Sequence, residues 1–150
     1  MAKFTFRLAT YLRLREAFRD ERRSHLAQAY RAEEVLVQEQ RRLEAESAAT
    51  AGRVRDAARP GKIDVDRLLD AQRYQSMVRA QQQHLAGQRE LLSAEIQRRR
   101  QALVEANRDV QVLEKLRSRQ SDQHRYQENR REIAQLDEIG QRRAVEEGTQ

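Results

Sequence analysis

The sequence predicts an all-α protein, a long two-helix antiparallel coiled-coil hairpin whose second helix is longer than the first. Charged residues make up 36% of the 150 residues and hydrophobic residues only 38%, which is too few to fill a globular core. The good helix formers Ala, Leu, Arg, Gln and Glu dominate, whereas there are only five Gly and one Pro. This helix bias and the mixed charge, with a net of +6, oppose the alternative of a disordered chain.

The one clear break in this pattern is Pro60-Gly61. Proline disfavours helix for the residue before it, and Pro-Gly is a strong turn signal. Asp64 then follows as an N-cap, and Asp66 lies in the first turn of the next helix, where the helix dipole favours a negative charge. The chain is therefore predicted to form one hairpin domain over 1–150. Its segments are helix 1 at about 8–57, a turn at about 58–64, helix 2 at about 65–139 and a frayed tail at 140–150.

A coiled-coil seam is predicted from apolar residues spaced alternately three and four apart. In helix 2, seven of the nine positions from Leu85 to Leu113 are apolar, all except Arg89 and Arg99. Helix 1 has a poorer seam, because polar residues such as Glu33 occupy some of its positions. The seam residues predicted in helix 2 are Leu85, Leu92, Ile96, Leu103, Val110 and Leu113.

A turn at Pro60-Gly61 implies a register in which the numbers of facing residues sum to about 121. Leu8 is then expected to face Leu113. The same register brings residues 1–30 and 98–131 together, and these carry about nine net positive charges, whereas the turn half is neutral. This basic end is either an ordinary solvated coiled-coil face or a docking surface for an acidic partner or nucleic acid.

The predicted second helix continues beyond the first. In this register residues 118–150 have no partner helix within the chain, and an isolated helix of that length is marginal in water. Tyr126, Ile133 and Leu136 nevertheless form a thin apolar stripe. The segment is either waiting for a partner or a solvated tail with incidental apolar residues.

No catalytic or cofactor-binding constellation is recognisable in the sequence. There is no Cys, the histidines His25, His84 and His124 are not expected to meet, and no P-loop, metal-ligand motif or Gly-rich phosphate loop occurs. A two-helix pair also offers no concave pocket for a substrate. We therefore expect a non-enzymatic protein with no cofactor, no metal ion and no small-molecule substrate.

Nucleic-acid binding is the main rival function, because Arg strongly outnumbers Lys and Arg is the better ligand for phosphate. However, the basic residues alternate with acids, as in Asp20-Glu21-Arg22-Arg23. Aromatic side chains on which single-stranded bases could stack are few. No nucleic acid is therefore expected as a partner.

Three stretches of the chain carry a family resemblance: residues 4–16 (FTFRLATYLRLRE), residues 107–117 (NRDVQVLEKLR, with a VLEKL core) and residues 136–139 (LDEI). In this order and spacing they resemble the family of the flagellar type III export protein FliJ over essentially the whole chain. Proteins of that family are antiparallel coiled coils similar to the central stalk of rotary ATPases. The resemblance thus agrees with the predicted hairpin.

The resemblance implies a stalk and escort role in the flagellar type III export apparatus. The implied partners are the hexameric flagellar export ATPase, whose assembly the protein would promote, the export-gate membrane protein and the export chaperones. The implied location is the cytoplasm, in peripheral association with the inner membrane at the flagellar base. The alternative is a generic coiled-coil adaptor of another secretion system, or a weak basic nucleic-acid-binding coiled coil.

Site residues are also implied by the resemblance. The paired terminal ends would enter the ATPase ring, and surfaces toward the turn would contact the export gate. Leu12 would join Leu8 in holding the helices together. The candidates for ATPase contact are Arg13, Arg15, Glu16, Glu114, Lys115 and Arg117. The candidates for gate contact are Leu69, Tyr74, Met77 and Val78, with the alternative that Tyr74 and Met77 belong to the seam.

Overall fold

The computed structural model describes the backbone of residues 4–147 and the side chains of residues 4–142. It consists of two α-helices, α1 (Ala9–Ala57) and α2 (Val65–Glu147), and the described residues contain no strand. The predicted fold class, a helical hairpin with a longer second helix, is confirmed. The chain divides into two compact units, unit 1 (Met1–Asp20 with Val104–Gln150) and unit 2 (Glu21–Leu103). Each contains part of both helices.

The connection between the helices forms around the predicted Pro-Gly turn. Gly61 adopts a φ of 100°, a conformation that L side chains rarely adopt and that only glycine tolerates easily. The amide of Asp64 donates to the carbonyl of Ala57 at 3.3 Å. The Asp64 carboxylate accepts the amide hydrogen of Arg67 at 3.1 Å, so the predicted N-cap of α2 is confirmed.

In unit 2 the two helices pack antiparallel. Tyr74 donates its hydroxyl to the carboxylate of Glu46 at 3.2 Å, and the Gln82 amide donates to the carbonyl of Leu43 at 3.4 Å. The residue numbers of these two pairs sum to 120 and 125, close to the value of about 121 expected from the turn. The buried residues of unit 2 are Ala29, Leu43, Thr50, Val78, Leu85 and Ile96.

Unit 1 is organised around a small apolar cluster of Phe6, Leu12, Val110 and Leu113. The expectation for Leu8 was wrong: this side chain is 40% exposed, whereas Phe6 is only 7% exposed. The reason is that α1 begins at Ala9 and the chain before it is not helical. Three partly buried apolar residues pack against the cluster: Phe4, Ala9 and Leu116.

The non-helical residues before α1 extend the pairing farther along α2 than the register rule predicted. The rings of Phe4 and His124 lie 5.8 Å apart, so α2 has a partner up to about His124 rather than 117. Extended chain covers about 3.3 Å per residue against 1.5 Å in a helix, and a few residues therefore reach several along α2. The helix also continues to Glu147 instead of ending near 139, while residues 148–150 of the predicted frayed tail lie outside the described range.

Candidate functional site

A shallow cleft of about 450 Å³ lies in unit 1 where the chain enters α1. Its apolar wall is formed by residues of the N-terminal segment and the first turns of α1. Three of the six candidates for ATPase contact line it: Arg13, Glu16 and Arg117. The cleft therefore joins charged side chains from both of the family-like stretches, 4–16 and 107–117, around one apolar wall. The remaining lining residues are Phe4, Thr5, Phe6, Ala9 and Leu12.

Arg15 is held by neighbours within unit 1. Its Nε and Nη2 atoms donate to the Tyr11 hydroxyl at 2.9 and 2.7 Å, and its Nη1 lies 3.5 Å from the carboxylate of Asp109. The hydrogen bond to Tyr11, followed by the charge interactions with Tyr11 and Asp109, raises the pKa of Arg15 above its ordinary value. Arg15 thus bridges α1 and α2 and stays charged.

The last two candidates for ATPase contact, Glu114 and Lys115, lie on α2 outside this cleft. Both are exposed. They follow the buried Leu113 by one and two residues, and so point about 100° and 200° away from it around the helix. The six candidates therefore divide into three that line the cleft, one that bridges the helices and two on the neighbouring surface of α2.

The four candidates for gate contact differ in exposure within unit 2. Val78 is completely buried (0%) between the helices, so its side chain is unavailable to a partner. Tyr74 is half-buried and bonded to Glu46. Leu69 and Met77 are exposed. Met77 lines a shallow cleft of about 460 Å³ beside Leu43, Leu85 and His84. Fewer of the four candidates are therefore accessible for gate contact than the sequence suggested.

The two arginines that interrupt the predicted seam make polar bonds across unit 2. Arg89 donates to the side-chain oxygen of Gln40, and Arg99 donates to the carbonyl of His25. Glu95 accepts from Arg99 at 2.7 Å and thereby orients it. This hydrogen bond from Arg99 lowers the pKa of Glu95 below its ordinary value. The two arginines therefore fill seam positions without leaving a buried charge unpaired.

Sequence reasoning missed Phe4 and Phe6, which supply the apolar wall of the cleft. They alternate with Thr5 in a Phe-Thr-Phe pattern just before the helix. Apolar residues two apart lie on the same side of an extended chain. A search restricted to helical spacing could not detect this signal.

The described residues contain no group of three or more His, Cys, Asp or Glu side chains that could hold a metal ion. Within the same residues, neither helix contains an apolar stretch long enough to cross a membrane. His84 contacts Gln88 and His124 contacts Phe4. Neither contact is with another histidine.

The chain was compared with protein families, curated proteins and solved structures. The family model described as "Flagellar FliJ protein" matches residues 4–149. No curated protein and no solved structure matches significantly. Since the family model covers nearly the whole chain, including all three family-like stretches, the protein belongs to the FliJ family and is a component of the flagellar export apparatus.

Proposed function

We propose that this protein is a non-enzymatic stalk of the flagellar export apparatus that binds the hexameric export ATPase through unit 1 and promotes assembly of the ATPase ring. The observation that carries the proposal is the cleft in unit 1. Arg13, Glu16 and Arg117 project there beside an apolar wall. Such a combination of apolar contact area and charged rim suits a protein–protein interface.

The test is the effect of the purified full chain on the oligomerisation and ATP turnover of the flagellar export ATPase. Wild-type protein should raise both. The double variant Arg13→Glu with Arg117→Glu should weaken the effect at least about tenfold in half-maximal concentration, because charge reversal at an interface replaces attraction by repulsion. The double variant Arg41→Glu with Arg79→Glu is a matched control, since both residues are exposed in unit 2.

All proteins are compared at the same ionic strength, because exposed charges are screened by salt. Stimulation by wild type and by the control, with loss in the Arg13 and Arg117 variant, supports ATPase binding through unit 1. No stimulation by wild type refutes ATPase binding. Equal loss in both double variants refutes the assignment to unit 1, because net charge alone then explains the effect.

We further propose that unit 2 contacts the export-gate membrane protein. This contact would place the chain at the cytoplasmic side of the inner membrane. We also propose that the protein binds export chaperones. Leu69 and Met77 are the exposed apolar residues that support gate contact. Met77→Ser should weaken binding to the cytoplasmic part of the gate protein about tenfold, as expected for an apolar anchor. Val35→Ser, also exposed on unit 2, is the control, and equal binding by both variants would contradict the assignment.

A further inference from the structure

A second heptad pattern runs along α2 in unit 1, on the side away from the packed seam. It consists of residues spaced alternately four and three apart, and we name it the outer stripe. Every member is exposed, whereas Ala106, Val110 and Leu113 on the packed side are buried. The outer stripe comprises Arg108, Val112, Lys115, Arg119, Asp122, Tyr126, Asn129, Ile133 and Leu136.

Helix geometry shows that the outer stripe does not face the contacts made by the N-terminal segment. His124 meets Phe4, and Tyr126 follows two residues later. At 100° per residue, Tyr126 therefore points about 200° around the helix from His124. The four apolar members of the outer stripe, Val112, Tyr126, Ile133 and Leu136, are each 60–68% exposed.

The apolar members indicate a helical partner. They occupy four of the nine positions and extend over about 36 Å of helix, from Val112 to Leu136. Apolar residues at such four-and-three positions are the kind by which one α-helix packs along another. Beyond about His124 the outer stripe is also the main apolar surface of α2, and a helix gains most of its stability from packing of such a face. A partner helix along the outer stripe would therefore stabilise the part of α2 beyond about His124.

The charged members indicate that the partner is acidic. Three of the first four members of the outer stripe are cations, namely Arg108, Lys115 and Arg119. None of them is within ion-pair distance of an acid among the described side chains. The single acidic member, Asp122, is paired with Arg125 at 3.6 Å. Unpaired cations beside apolar residues are complementary to a helix with acidic residues flanking its apolar face.

We propose that the outer stripe of α2 is a docking surface for an acidic amphipathic helix of a partner protein. The apolar side chains supply contact area, and the cations select acidic flanks and oppose basic ones. This surface is separate from the cleft in unit 1, and three of its charged positions, Arg108, Arg119 and Asp122, are not candidates for ATPase contact.

The probe is a fluorescently labelled synthetic peptide of about four heptads with Leu at the a and d positions and Glu at the e and g positions. Two companion peptides separate charge from pattern: one carries Lys in place of Glu, and the other has the acidic composition in scrambled order. Their binding to the full chain is measured by fluorescence anisotropy. The acidic heptad peptide should bind at least about tenfold more tightly than either companion.

Two double variants locate the binding. Arg108→Glu with Arg119→Glu should weaken binding of the acidic peptide at least about tenfold, and Tyr126→Ser with Ile133→Ser should do the same by removing apolar anchors. All four side chains are exposed, so helicity should be unchanged in circular dichroism. The controls in unit 2 are Arg41→Glu with Arg79→Glu and Val35→Ser with Leu91→Ser.

Selective binding of the acidic heptad peptide, lost in both outer-stripe variants and kept in both controls, supports the proposal. Equal binding of acidic and basic peptides overturns it, as does wild-type affinity in either outer-stripe variant. The proposal is also overturned if sedimentation velocity shows a dimer that only the Tyr126 and Ile133 variant loses, because the surface then binds a second copy of this chain. It is likewise overturned if the chain binds anionic vesicles and not the peptide, and the same variant loses this binding, because the surface then contacts a membrane.

Discussion

The substitution Phe6→Ala tests whether the non-helical residues before α1 are held by packing in unit 1. An aromatic side chain buries about 150–250 Å², and truncation of the largely buried Phe6 to Ala removes roughly 100 Å² of that contact. At about 25 cal/mol per Å², the packing of the N-terminal segment weakens by about 2–3 kcal/mol. Because this segment precedes the first helix, it can detach instead of leaving a cavity, so the loss is expected to remain local.

The assay is amide hydrogen exchange of the full chain. The Ala9 amide donates to the Phe6 carbonyl at 3.1 Å and the Leu12 amide to the Leu8 carbonyl at 2.8 Å, so these two amides report on the start of α1. Their exchange should accelerate roughly 30- to 150-fold, which corresponds to the estimated energy at 1.36 kcal/mol per factor of ten. Amides of unit 2 should be unaffected.

Leu14→Ala is the matched control, because Leu14 lies in the same unit, in the second turn of α1, but is 64% exposed. Substitution at such an exposed position should change local stability by no more than about 0.5 kcal/mol. If Phe6→Ala and Leu14→Ala accelerate exchange equally, Phe6 does not anchor the segment. If Phe6→Ala accelerates exchange uniformly in both units, the reasoning about a local loss is refuted.

Three further predictions can be tested by urea unfolding. Asp64→Ala removes the α2 N-cap and should lower the free energy of unfolding by about 1 kcal/mol; Asp64→Asn keeps the acceptor and should not. Gly61→Ala places Ala at a φ of 100° and should cost about 1–2 kcal/mol. Gly52→Ala, inside α1 near its end and with open space around it, should instead raise the free energy of unfolding by about 0.5–1 kcal/mol. A change of the same sign in both variants would contradict this. The Arg99 hydrogen bond lowers the pKa of Glu95, so the stability it contributes is present above the unfolded value of about 4.3 and is lost as pH falls through the folded value. Glu95→Gln should therefore reduce the loss of stability on acidification, and parallel curves for both proteins would be the contrary result.

The sequence predicted the hairpin well because its signals are local. Pro60-Gly61 and the Asp64 cap determine where the first helix ends and the second begins, and both act through the backbone of a few neighbouring residues. The heptad spacing of α2 likewise identified a face on which Leu85, Ile96 and Val110 are buried. These features depend on the period of a single helix and need no knowledge of its partner.

The candidate sites were harder to predict, because they depend on the backbone path before α1 and on the rotation of α2 against α1. Leu8 fits a helical register, but α1 begins one residue later, and Phe6 is buried through the geometry of the preceding segment. Met77 and Val78 differ by only 100° around the helix. Which of these two apolar neighbours is buried is set by the exact rotation of α2 against α1, and sequence spacing does not resolve a rotation of that size.

Apolar residues of α2 in unit 1 lie on two sides of the helix. Val110 and Leu113 are on the packed side, whereas Val112, Tyr126 and Ile133 are exposed on the other side. A helix that packs against α1 alone needs only the first set. The second set adds exposed apolar surface, which favours self-association or binding of a partner. The outer-stripe cations, which have no ion pair among the described side chains, oppose pairing with another basic helix. The charge of the partner is therefore the property that distinguishes docking of an acidic helix from simple aggregation through this face.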